Sequence, residues 1–393
     1  MVNRSDPVTG LVVDSDEHRL IRESTAKIAQ KYGSAYYLER ARTGNNVDEL
    51  WYELGDAGLL GVHLPEEYGG GGAGLSEAVV VVEELAAHGM PMLISVISPV
   101  ICGSILSAHA STDMKQAWLP GLASGRRRMA FALTEPDAGS NSHNVGTTAR
   151  RDGEGWRISG AKYFISAVSD AEALLVIARD ADAPAGQRAP LSMFVVPVDA
   201  PGVVYQPLET TLVAADKQFT VFLDDVYVGP EAIIGQAGNG LRQVFAGLNP
   251  ERIVAAAISN GIGRYAISKA TQYAKERQVW STPIGAHQGI SHPLAKAYIN
   301  VELARMAMVH SAALFDAGED AAEAANIAKY AAAEASLEAL DHSIQTHGGN
   351  GLSKEYGLAE MWFNARLLRT APVSKEMVLN FVAQSSLGLP RSY

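Results

Sequence analysis

The stretch Leu133–Ser140, reading LTEPDAGS, gathers side chains suited to hold a flat polar ligand. It follows a β-rich run, carries hydroxyls at Thr134 and Ser140, and is bent by a proline and a glycine. Such a loop can offer hydroxyls and backbone N–H groups to a heterocycle and its phosphates. Many stretches of this kind are ordinary turns, so both readings stay open on these residues alone. Metal chemistry has less support. Cys102 is the single cysteine, and the ten histidines show no ligand-like spacing, so no metal site is expected. An intrachain disulfide is impossible, which points to a reducing compartment and a cytoplasmic location. His63, His143, His287, His292 and His347 read as structural hydrogen-bonders and receive no catalytic role.

Three regions must position the loop. Residues 1–127 read as helical. Asp14 with Glu17 has the form of a capping box, and Leu20, Ile21 and Ile28 give one apolar face. Gly69–Gly72 mark a loop, and a helix follows from Leu75 to Ala87. Residues 128–236 change to short β-rich runs at Met129–Leu133, Trp156–Ser159, Lys162–Ser166, Ala173–Ala178, Ser192–Val198 and Phe219–Leu223. Turn signals separate them, and Ser159-Gly160-Ala161 reads as a hairpin. A compact β-sandwich or barrel is the expected form. Residues 237–393 return to helix. Asn249-Pro250-Glu251 reads as a helix start with proline in its first turn. Ile290–Leu314 and Ala322–Ile344 are long, alanine-rich and periodic, as in an antiparallel bundle. A last helix is expected from near Ser374. The fold class is thus α+β and multi-domain, in the order α, β, α.

Composition narrows the partners. The 393 residues are 47% hydrophobic and 19% charged, which suits a packed core rather than disorder. The net charge of −11, with Arg126–Arg128 the only basic run, disfavours nucleic acid. The opening stretch to His18 lacks an apolar segment of leader length. Met90–Leu106 is too short and too interrupted to span a membrane.

Several motifs, taken together and in order, resemble the acyl-CoA dehydrogenase family. That family carries a TEPxAGS loop followed by a K-x-(W/F)-I-(T/S) strand; here these are Thr134–Ser140 and Lys162–Ser166. Glu276-Arg277, Trp280, Pro283-Ile284 and Gln288 are similar to its ER-x-x-FG-x-x-I-x-x-x-Q run. Gln345–Gly351 is similar to its Q-x-x-GG-x-G, and Gly58–Gly70 to its first-domain signature. The matches span nearly the whole chain. The resemblance implies an N-terminal helical domain, a middle β-barrel or sandwich domain and a C-terminal four-helix bundle, with FAD between the last two. It implies that Thr134 bonds the flavin's pyrimidine edge beside Leu133, that Phe164 lies on the isoalloxazine, and that Ser166 sits near N5. Ser140 is placed near the pantetheine or a cofactor phosphate. Arg277 is placed at the pyrophosphate of a neighbouring subunit's FAD, with Trp280 and Gln288 in the same motif. Gln345, Gly348 and Gly349 are placed on the adenine side, and Ser374 also among the cofactor contacts. An acyl-CoA substrate, an electron-transfer flavoprotein as acceptor, a homotetramer and a role in fatty-acid metabolism follow by the same resemblance.

The chain departs from the family at the base. Most members place a catalytic Glu shortly after an R-D-A-R motif, and here that position falls on Pro372, which has neither a carboxyl nor an N–H. Other members carry the base on a helix immediately before an Arg, which points to Glu251, with Arg252 as its ionic neighbour. Glu376 and Asp137 are lesser candidates. The same departure leaves room for a flavin-dependent oxidase or oxygenase, or for a non-catalytic flavin-binding relative.

Overall fold

The computed structural model describes residues 11–183 and 189–391; the first ten residues of the stretch read as lacking a leader lie outside them. Five helices come first: α1 (Asp16–Thr43), α2 (Asp48–Asp56), α3 (Leu75–Ala87), α4 (Ser104–His109) and α5 (Thr112–Ala123). A π-helix, Val96–Gly103, runs directly into α4. The cap of α1 is Ser15, whose hydroxyl accepts from His18 N at 3.1 Å, not Asp14. Asp14 instead pairs with Arg22. The expected apolar face is also displaced, since Leu20 is exposed while Ile28 and Tyr37 are buried. A bend at Gly33, where φ is +72°, turns the face part-way along.

Seven strands form one curled sheet: β1 (Met129–Ala132), β2 (Thr148–Asp152), β3 (Gly155–Ser166), β4 (Ala173–Asp180), β5 (Leu191–Pro197), β6 (Val203–Pro207) and β7 (Gln218–Val228). The order is β1-β4-β2-β3-β7-β6, with β5 on the other edge of β4. The hairpin expected at Ser159-Gly160-Ala161 does not form. Both runs belong to β3, which pairs with β7 on either side of an irregularity at Gly160. A Cβ at Gly160 would lie 2.7 Å from Thr147 Cα, so glycine here marks close backbone approach rather than reversal. Strands β2 and β6 were not anticipated, because TARRD and VVYQP are short and largely exposed. The sheet encloses its own core around Trp156, Ile158, Phe194 and Val221.

The chain then forms α6 (Gly240–Gln243) and α7 (Phe245–Glu276), followed by the two-residue strands β8 (Gln278–Val279) and β9 (Thr282–Pro283). After these come α8 (Gln288–Asp316), α9 (Ala322–His347), α10 (Leu358–Thr370) and α11 (Lys375–Phe381). Helices α7 to α10 pack as a four-helix unit. Pro250 does not open α7 but lies inside it, five residues after its start. Glu251 therefore sits beyond the first turn, where the helix dipole has weakened. Helix α10 was not anticipated between the glycine-rich turn and Ser374. One apolar core joins these helices to the N-terminal ones. Among the described residues no helix is long and apolar enough to cross a membrane.

Candidate active site

The LTEPDAGS loop leaves the end of β1 and is anchored from beneath. Lys162 on β3 is fully buried, and its Nζ donates to Glu135 Oε1 at 2.8 Å, Ile177 O at 2.7 Å and Leu133 O at 3.2 Å. Glu135 in turn accepts from Gly146 N at 2.5 Å and Thr147 N at 2.9 Å. Burial, opposed by Glu135, brings the Lys162 ammonium down to about 8. A buried pair of this kind holds geometry because every charge-bearing atom has a partner. It fixes the Leu133 carbonyl and the Glu135 side chain on either side of Thr134, and Tyr163 N donates to Thr134 O at 2.9 Å. Thr134 is therefore set beside Phe164.

Phe164 is no core aromatic. It is 53% exposed and has φ of +54°, a conformation uncommon for a large side chain. Ser166 lies two residues on, its Oγ 2.9 Å from Gln218 Nε2. Thr134, Phe164 and Ser166 thus share one end of the sheet, while Ser140 and Asp137 lie on the exposed rim of the loop.

Glu251 comes from α7. The π-helix joins it to the β-domain side. Met129 N at the start of β1 donates to Ser98 Oγ at 3.1 Å, and α7 crosses the same helix closely enough that a Cβ at Gly247 would lie 3.0 Å from Ile101 Cγ2. Glu251 keeps partial exposure and forms no salt bridge or hydrogen bond among the described residues. Burial pushes its carboxyl up to about 7, against the pull of Arg252 and Lys329. Arg252 donates to Asn249 Oδ1 at 2.9 Å, and its buried Nε has no partner. Pro372 and Glu376 lie exposed in and just after the turn between α10 and α11. Ser374 caps α11, accepting from Met377 N at 3.3 Å.

The remaining residues lie around the C-terminal helices. Arg277 follows α7, with Trp280 in the tight turn between β8 and β9 and Gln288 at the start of α8; all three are exposed. Gln345 ends α9 with Gly348 and Gly349, where an added Cβ would meet nothing within 4 Å. Tyr273 stacks on His347 beside them, ring centres 4.2 Å apart. These residues fit a dinucleotide. An uncovered ring with two hydroxyls beside it suits a flat polar heterocycle, and open glycine backbone with an exposed arginine suits its phosphates and second base. Among the described residues no cluster could hold a metal ion.

Sequence reasoning passed over the anchors. Lys162 and Glu135 stand inside motifs that were read for the ligand, not for support. The available signal was strand parity, which puts Lys162 on the same face as buried Ile158. Asp216 was also missed. It is buried and accepts from Leu93 N at 2.7 Å, tying the segment before β7 to the wall before the π-helix.

Comparison with known proteins bears on the whole chain. Family models for the acyl-CoA dehydrogenase N-terminal, middle and C-terminal domains match residues 15–126, 130–226 and 238–387. The chain is 55% identical to acyl-CoA dehydrogenase FadE12 of Mycobacterium tuberculosis, over 97% of this chain and 98% of that protein. It is 32% identical to glutaryl-CoA dehydrogenase of Desulfococcus multivorans, over 88% of this chain and 90% of that one. Among solved structures, a glutaryl-coenzyme A dehydrogenase in complex with glutaryl-CoA aligns with a TM-score of 0.92 at 29% identity, over 97% of this chain and 98% of the other.

Proposed function

The chain belongs to the acyl-CoA dehydrogenase family of FAD-dependent oxidoreductases, and from that membership we propose that it desaturates an acyl-CoA thioester using Glu251 as the base. The observation that carries the proposal is the partly exposed Glu251, which forms no salt bridge or hydrogen bond among the described residues and whose carboxyl burial pushes up to about 7. A base with that proton affinity is half-ionised near neutrality and can take an α-proton without being trapped by a cation.

Bound FAD supplies the two-electron acceptor for the substrate's β C–H bond. The chain does the rest. Thr134 and Phe164 orient the ring, and Ser166 places a hydroxyl at its edge. The Lys162–Glu135 pair keeps that wall in register. Glu251 arrives from α7 to receive the proton, and Arg252 limits how far its carboxyl is driven toward the neutral form. Pro372 offers no N–H, so any hydrogen bond to the thioester oxygen comes from other groups. Arg277, Trp280, Gln288, Gln345, Gly348, Gly349, Ser140 and Ser374 complete the cofactor contacts in this reading.

Arg277 is assigned to the pyrophosphate of a second copy, in a homotetramer. Ile299, Leu303 and Met306, exposed along one stripe of α8, support association. Electrons leave to an electron-transfer flavoprotein, and the enzyme works in the cytoplasm on fatty-acid-derived thioesters.

Anaerobic mixing of the FAD-loaded protein with a panel of acyl-CoAs tests the reaction. Rapid flavin bleaching by at least one saturated thioester, with slow reoxidation on admitting air, is expected. Bleaching that air reverses within the mixing time contradicts the dehydrogenase assignment, because it marks an oxidase or oxygenase.

A further inference from the structure

Ser166 stands where β3 departs twice from regular strand. Phe164 and Ala167, on either side of it, have φ of +54° and +59°, in the left-handed region that residues with a Cβ seldom occupy. The register against β7 also shifts between Lys162 and Ile165. Such departures persist only where the surroundings over-determine them. Gln218 opens β7 directly opposite Ser166, so the two side chains leave the sheet on the same face. Gln218 is buried, and its backbone is tied on both sides: Ala167 N donates to Lys217 O at 2.8 Å, and Leu208 N donates to Gln218 O at 2.8 Å.

The Gln218 amide turns both its ends to one atom. Ser166 Oγ lies 2.9 Å from Nε2 and 3.0 Å from Oε1. Nε2 has a second, longer contact with Asp216 O at 3.4 Å. A hydroxyl has one proton to give and lone pairs to accept with. When that proton points outward, Nε2 donates to Oγ. When it points to Oε1, a lone pair faces outward instead. Among the described residues the hydroxyl bonds only to Gln218, and Ser166 keeps partial exposure, so its outward side is open to a ligand.

We propose that Gln218 is a positioning residue for the flavin edge: its amide holds the Ser166 hydroxyl in place and supports it equally as donor to the oxidised ring and as acceptor from the reduced one. The proposal rests on Ser166 lying beside the ring, as in the function proposed above. The edge nitrogen of an oxidised flavin has a lone pair and accepts; once reduced it carries a hydrogen and donates. A partner that only accepted from the hydroxyl, or only donated to it, would favour one of the two forms. An amide that offers one of each favours neither.

Gln218→Met keeps the length of the side chain and removes both polar ends. FAD release from the diluted holoenzyme, followed by flavin fluorescence, is expected to quicken about fivefold, the worth of one hydrogen bond. The midpoint potential of the bound flavin is expected not to move, because both forms lose the same support. Release at the parent rate overturns the proposal. So does a midpoint shift of about 20 mV, which is that fivefold change falling on one form alone. Ser166→Ala is itself expected to quicken release, and adding Gln218→Met to it is expected to quicken release no further. An equal quickening with and without the Ser166 hydroxyl marks a merely structural role for Gln218 and overturns the proposal as well. If Gln218→Met fails to load FAD, Gln218→Asn decides by the same measurements, since it keeps an amide but draws it back by one methylene. Failure of the Ser166 placement is distinguishable: Ser166→Ala alone then releases FAD at the parent rate, and the proposal falls with it.

Discussion

Glu251 keeps partial exposure as a residue, although burial dominates the surroundings of its carboxyl. Burial, Arg252 and Lys329 together leave it near 7, between an ordinary carboxylic acid and a permanently neutral one. The sign of the pH dependence follows. Below about 7 the group is protonated and cannot accept the α-proton; above it the base is free. The second-order rate of flavin reduction, which reports the free enzyme, is expected to rise tenfold per pH unit well below 7 and to level off above it. A profile flat from pH 5 to 9 contradicts this. The Glu-Arg dipeptide was legible in the sequence as a candidate base. Its surroundings were not, because Lys329 reads as a solvated charge on an alanine-rich helix and its carbonyl partner at Val373 lies 44 positions on. Proximity over that distance is a property of helix packing and leaves no local pattern.

Strand β3 carries both the ring-facing Phe164 and the buried Lys162, so one element supplies the flat wall and its fastening. Lys162→Met removes the cation but leaves Glu135 buried with only its two backbone donors. Breaking one side of a buried pair costs about 3–5 kcal/mol. Urea unfolding is expected to show a loss of that order together with weaker FAD retention. A variant as stable as the parent, with normal FAD content, removes the pair from the account. Periodicity and turn residues marked most strands, because their apolar runs face the sheet's core. They failed at Ser159-Gly160-Ala161, where a glycine that permits close approach to Thr147 has the same signature as one that reverses the chain. They also passed over α10, although its buried Leu358, Met361, Ala365 and Leu368 recur at helical spacing.

The helical halves of the molecule are joined by buried charge as well as by apolar contact. Glu83 on α3 is 1% exposed and binds Arg305 on α8 at 2.5 Å and Arg22 on α1 at 3.1 Å, with Arg264 on α7 at 3.6 Å. Burial pushes the Glu83 carboxyl up, but the three guanidinium groups outweigh it and bring it down to about 2. A carboxyl lowered on folding contributes stability that is present above its unfolded value and lost as pH falls through the folded one. Stability is therefore expected to decline between about pH 4.5 and 2, and Glu83→Gln to flatten that decline while lowering stability at pH 7. Chemical denaturation across that range checks it; an unchanged slope contradicts the role of Glu83. The order helix, sheet, helix was legible at this scale because each region has its own periodicity. The network was not, since its members come from four separate helices.

The central claim is that Glu251 takes the proton at a flavin held between the sheet and the C-terminal helices. Its most direct test is single-turnover flavin reduction in Glu251→Gln, with FAD content measured on the same sample. Normal FAD content with reduction slowed by roughly 10²–10⁴-fold at pH 8 is the expected result. Reduction at the parent rate contradicts it.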